Sequence, residues 1–149
     1  MTEINFPKIY IYRRIVKAKL FIDDHFDSDI DLDAIADEAF FSKFHFIRLF
    51  KKTYHKTPHQ YLIYVRIEKT RLYLKAGISV SQACYSAGFD STSSFAGLFK
   101  KMEGISPSVY RDKQHLLQKE IQAAPLKFVP HCFAEKKGWS KKTAFETKK

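Results

Sequence analysis

Residues 50–61 read FKKTYHKTPHQY and residues 99–110 read FKKMEGISPSVY. Phe, Lys, Lys, Pro and Tyr coincide at an offset of 49 residues without a gap, and Thr57 is answered by Ser106. Working backwards at the same offset, Phe46 pairs with Phe95 and Leu49 with Leu98. A Phe-x-x-x-Phe spacing places two rings on one face of a helix, one turn apart. A hydroxyl residue followed by proline opens the next helix, because proline is tolerated where no intrahelical N–H bond is lost. Each copy therefore reads as a short helix, a tight turn and a second helix ending in Phe-Lys-Lys. That is a helix-turn-helix, written twice.

The flanking segments fit the same reading. Phe6 to Phe26 is an amphipathic helix with Ile11, Ile15, Ala18 and Ile22 on its inner face. Asp31 caps a short helix through Leu32, Ile35, Ala36 and Ala39, and Ser42 caps the next, Lys43 to Tyr54, which buries Phe46, Leu49 and Phe50. Thr57-Pro58 opens a helix from about His59 to Lys75, with Leu62, Val65, Ile67, Leu72 and Leu74 as apolar positions, and Gly77 ends it. The pattern then restarts with a helix from Ser79 to Ala87, a turn at Gly88, a helix from about Ser91 to Met102, a stop at Gly104 and a last helix from Ser106-Pro107. No segment of residues 1–115 alternates with period two. The expected fold is all-α: two helix-turn-helix subdomains, about residues 31–55 and 79–103, joined by a long linker helix over residues 59–75. At 1.5 Å per residue that helix is ~25 Å long, so the two second helices can lie ~34 Å apart, one turn of B-DNA.

Charge is distributed unevenly. The 149 residues carry a formal net charge of +10, yet residues 23–38 hold eight acids and no Lys or Arg, while residues 39–115 hold thirteen Lys/Arg against four acids. A basic body of this kind suits a polyanion. Cys84 and Cys132 lie far apart and outside any C-x-x-C spacing, which fits a reduced compartment. Cys84 matches Ala36 of the first unit and is expected to be a small buried residue. The sequence suggests neither a signal peptide nor a membrane span.

The segments LDAIADEAFFSKFHFIRLFKK, TPHQYLIYVRIEKTRLYL and ACYSAGFDSTSSFAGLFKKMEGISPSVYR resemble the DNA-binding domain of the AraC/XylS family of bacterial transcription regulators, over about residues 8–113. The resemblance makes residues 1–113 the DNA-binding unit and implies a sequence-specific regulator whose first recognition helix reads bases. Here that helix exposes Phe44, Ile47 and Arg48, with Lys43, Lys51 and Lys52 near phosphates. Arg48 is the strong donor, since a guanidinium can bond O6 and N7 of guanine together. Phe44 and Ile47 can touch only thymine methyls or sugars.

The second unit departs from the family pattern. Ser91, Thr92, Ser93 and Ser94 open its recognition helix, and Ala96-Gly97 follows where family members usually carry an arginine. Gly97 stands 49 residues after Arg48. What remains, the hydroxyls with Lys100 and Lys101, suits phosphate contacts, or in the case of the hydroxyls simple helix capping. A second departure is Phe40, which occupies the place of the turn glycine Gly88 and implies a turn without positive φ.

Only Met1 to Pro7 precede the first helix, so the chain resembles the stand-alone members, which act as monomers. The expected partner is double-stranded DNA, with RNA polymerase in second place, in the cytoplasm at the nucleoid. No cofactor or metal is expected, and His131-Cys132 lacks a second ligand pair. Residues 114–149 form an irregular extension of unassigned role, in which HLLQKEI can prolong the last helix and SKKTAFETKK frays. The alternative to a specific reader is a protein-interaction module, or a low-specificity DNA binder, that titrates a partner. An enzyme fused to such a domain would need a reactive cysteine in a dedicated catalytic domain, which the tail is too short to supply, so no enzyme is expected.

Overall fold

The structure is a computed structural model that describes residues 6–38 and 42–138. Its helices run in the order α1 (Phe6–His25), α2 (Leu32–Glu38), α3 (Lys43–Tyr54), α4 (Pro58–Lys75), α5 (Val80–Ser86), α6 (Thr92–Glu103), α7 (Pro107–Ala123) and α8 (His131–Lys136), with a short 3-10 turn at Pro125–Phe128 before α8. There is no strand among the described residues.

Helix starts follow local chemistry. Asp31 Oδ1 accepts the Asp33 and Ala34 amides, and Ser42, Thr57, Ser79, Ser91 and Ser106 each accept the amide three residues on. At α4 the cap is reciprocal, because Gln60 Oε1 also accepts the Thr57 amide at 3.0 Å.

Two cores result. The first gathers Ile15, Ala18, Ile22, Ile35, Ala36, Phe46, Phe50 and Leu62 from α1 to α4. The second gathers Ile67, Leu74, Ala83, Cys84, Ala87, Phe89, Phe95, Phe99 and Tyr110 from α4 to α7. Helix α4 supplies both, which explains why its apolar residues cover more than one face. Leu72, counted from sequence among the apolar positions of that helix, points outward and is 58% exposed. Cys84 is fully buried beside Ala83, as its match to Ala36 implies, and burial pushes its thiol pKa up.

Offsets between the units are informative. α2 and α5 are 48 residues apart, whereas α3 and α6 are 49 apart, so the second turn is one residue longer. Gly88 occupies that longer turn with φ +86°; Phe40 lies outside the described residues. Helix α7 runs past residue 113 to Ala123, taking in most of the segment read as its extension, and Gln118 Nε2 donates to the Lys75 carbonyl at 3.0 Å. The tail is thus partly ordered through residue 138. The SKKTAFETKK segment lies outside the described residues.

Candidate nucleic-acid interface

Helix α3 is held by its aromatic face and offers the opposite one. Phe46 and Phe50 are buried, with ring centroids 5.8 Å apart, and Phe50 continues into Tyr54 at 4.9 Å and Tyr61 at 5.7 Å. This rotation leaves Phe44 79% exposed and Arg48 on the surface without a hydrogen bond or ion pair among the described residues. Ile47 differs from these two: it is half-buried and packs against the first core, so it is shared between the interior and the face.

The lysines also divide. Lys51 and Lys52 lie exposed in the last turn of α3, and Lys100 and Lys101 lie likewise in the last turn of α6. Lys43 is engaged instead, with Nζ 3.0 Å and 3.1 Å from the two carboxylate oxygens of Asp33. An exposed pair of this type contributes only ~0–1 kcal/mol and can be exchanged for a phosphate contact.

In α6 the hydroxyl run is first of all a cap. Ser91 Oγ accepts the Ser94 amide at 3.2 Å and lies 2.9 Å from Ser93 Oγ. Thr92 is half-buried, while the Ser93 and Ser94 side chains are exposed. Gly97 is exposed with ordinary helical φ, and a Cβ built there meets nothing within 4 Å. The surface equivalent to Arg48 is therefore open, flat backbone.

Several residues that position these helices, Tyr61 and Arg66 of the Pro58-x-x-Tyr61…Arg66 linker pattern among them, carried no role in the sequence reading. His55 ends α3 at φ 60°, where Gly104 ends α6 at φ 80°, and both amides donate to a lysine carbonyl at 2.8 Å. Tyr61 donates its hydroxyl to Asp23 at 2.7 Å, which ties α4 to α1. Burial, with Asp23 beside it, pushes the Tyr61 pKa up to about 12. Arg71 bonds Glu68 at 2.6 Å and reaches Glu103 at 3.5 Å, and Tyr110, ahead of these carboxylates, raises its pKa further. The recurrence of Tyr61 as Tyr110 was the available signal. Arg66 stands at 66 with His115 at its repeat position, so the repeat offers no signal for it.

No group of three or more His, Cys, Asp and Glu among the described residues is placed to hold a metal ion. No described helix is long and apolar enough to cross a membrane.

Residues 35–113, both units with the linker between them, match the family described as "Helix-turn-helix domain". The chain belongs to the AraC/XylS-type helix-turn-helix family. Among its relatives is the MmsAB operon regulatory protein of Pseudomonas aeruginosa, 32% identical over 91 residues, which are 60% of this chain and 30% of that protein. An HTH-type transcriptional regulator from the cgkA 5′ region of Pseudoalteromonas carrageenovora is 30% identical over 97 residues, 65% of this chain and 58% of that one. The chain thus spans less than two thirds of either relative. Its fold is similar to the DNA-binding domain of AdpA, a global transcriptional factor solved in complex with a target DNA, with a TM-score of 0.63 at 24% identity over 74% of this chain and 96% of that chain.

Proposed function

We propose that this AraC/XylS-type chain is a DNA-binding transcription regulator that grips double-stranded DNA as a monomer, in the cytoplasm at the nucleoid, without a catalytic activity. In this reading α3 enters a major groove and reads bases through Arg48 and Phe44, with Ile47 beside them. Helix α6 enters the next groove face and holds the backbone through Ser93, Ser94, Lys100 and Lys101, with Ser91 and Thr92 fixing the helix start. Lys51 and Lys52 flank the first site, and Lys43 joins them by leaving Asp33. The observation that carries the reading is the contrast at one repeat position: Arg48 is exposed without a partner among the described residues, and Gly97 presents no side chain at all. RNA polymerase is the second partner proposed.

Selection of bound sequences from random duplexes tests this reading. The expected result is one strongly constrained half-site and a footprint extending a helical turn beyond it. If about six phosphates are neutralised, log K falls against log salt with a slope near −5. A salt-independent affinity overturns the nucleic-acid reading. A second reading, a partner-titrating module of low DNA specificity, is favoured by the exposed apolar stripe of Ile9, Val16 and Leu20 on α1. Unconstrained selections with retained salt dependence would favour it.

A further inference from the structure

The two units touch directly. The chain leaving α1 passes through Phe26, Asp27 and Ser28, and the Gly88 turn of the second unit is pressed against it. A Cβ built on Gly88 would stand 2.7 Å from the Phe26 carbonyl oxygen and 3.0 Å from Asp27 Cα and carbonyl carbon. All three are backbone atoms and cannot swing aside. The φ of +86° at Gly88 disfavours any other residue as well.

Arg66, midway along α4, closes the same junction. Its Nε donates to the Phe26 carbonyl at 2.7 Å and its Nη2 to the Ser28 carbonyl at 2.9 Å. The guanidinium lies 5.8 Å from the centroid of Phe89, a residue of the second core, and Lys69 sits 5.2 Å from the Phe26 ring. Asp27 and Asp29 face the cation from the first unit and Asp90 faces it from the second. One half-buried charge is therefore shared by both halves. A linker helix alone sets how far apart its ends lie, but each unit can still tilt about its end.

We infer that Arg66, seated against the Phe26–Ser28 carbonyls and the Gly88 turn, is a positioning residue that locks the two recognition helices in one mutual orientation and so fixes how far from the base-read half-site α6 meets the DNA backbone. The consequence for spacing rests on the DNA-binding reading; the lock itself does not. A lysine at this position has a single donor centre and cannot span two carbonyls in a fixed fork.

The lock is measurable without DNA. Nitroxide labels on Asp37→Cys and Gln82→Cys, both exposed positions outside the proposed interface, report the distance between units; Cys132→Ser removes the exposed native thiol and Cys84 is buried. The parent chain should give a narrow distance distribution. Arg66→Ala should broaden it, with helical circular dichroism retained, and Arg66→Lys should fall between. Gly88→Ala, which pushes on the same contact from the other side with Arg66 intact, should shift the distance. If Arg66→Ala and Gly88→Ala both leave the distribution unchanged, the lock is overturned, whatever the protein does with DNA. On the selected duplex, the parent should protect a backbone segment at one fixed distance from the constrained half-site, and Arg66→Ala should blur that boundary in a hydroxyl-radical footprint. Equally sharp boundaries for both proteins overturn the inference for spacing. A chain that binds no duplex, yet broadens on Arg66→Ala, breaks the DNA-binding reading and leaves the lock standing.

Discussion

In the first unit Phe50 meets Tyr61 edge-on at 5.7 Å, and in the second Phe99 meets Tyr110 edge-on at 5.4 Å. The Phe46–Phe50 and Phe95–Phe99 spacings are 5.8 Å and 5.7 Å. Inside, the repeat is close. At the edges the units diverge: Tyr61 donates to an acid, Asp23, whereas Tyr110 meets a cation, Arg71. One recognition helix stops on a strained histidine and the other on glycine, and one displays an arginine where the other has bare backbone. Apolar packing tolerates little change of shape, so copies retain it, while positions facing solvent or a neighbouring helix are free to specialise.

The largest effects should fall where the units are alike. Phe50→Ala and Phe99→Ala each empty a fully buried ring site and should cost ~3–5 kcal/mol in urea unfolding. If the units are one cooperative body, both variants should unfold in a single transition; a biphasic curve breaks the picture of two cores fused by α4.

Next comes the base-reading asymmetry. Arg48→Ala should lose ~1–3 kcal/mol at one guanine-containing position and relax selection there. Lys100→Ala should weaken every duplex about equally. Identical losses on all sites for the two variants would remove the distinction between reader and clamp.

Gly97→Arg asks whether the second unit can be made like the first. The site is open, so the substitution should raise helix stability by ~1 kcal/mol and sharpen base preference in the second half-site. Abolished binding would mean that backbone approach, and not a missing side chain, is the purpose of the glycine.

The smallest effect concerns Tyr61. Tyr61→Phe removes the bond to Asp23 and should cost ~1 kcal/mol near neutral pH. Because the folded pKa of Tyr61 is raised from 10.0 to about 12, the neutral phenol is favoured by folding. That stability is fully present below pH 10 and is lost as pH rises from 10 to 12. The Tyr61→Phe chain should therefore show a shallower stability loss across that window. A loss as steep as the parent's would assign the alkaline sensitivity elsewhere.

Local rules were enough for much of this molecule. Ser42, Thr57, Ser79, Ser91 and Ser106 announce helix starts because a hydroxyl satisfies an amide within three residues of chain. The Phe-x-x-x-Phe pairs announce the buried faces because helical periodicity is itself a local property. The repeat then identified two equivalent units and the exposed position of Arg48. Tertiary contacts decided the rest, since their partners come from distant parts of the chain. Lys43 is drawn to Asp33 and Ile47 is half taken into the core, neither of which the periodicity of α3 reveals. Arg66 reaches carbonyls 38 and 40 residues back, and Gly88 abuts a loop from the other unit. How the two units face each other was decided there, by a shared cation and a glycine with no room for a side chain, because orientation is a property of surfaces meeting and is not encoded in either helix alone.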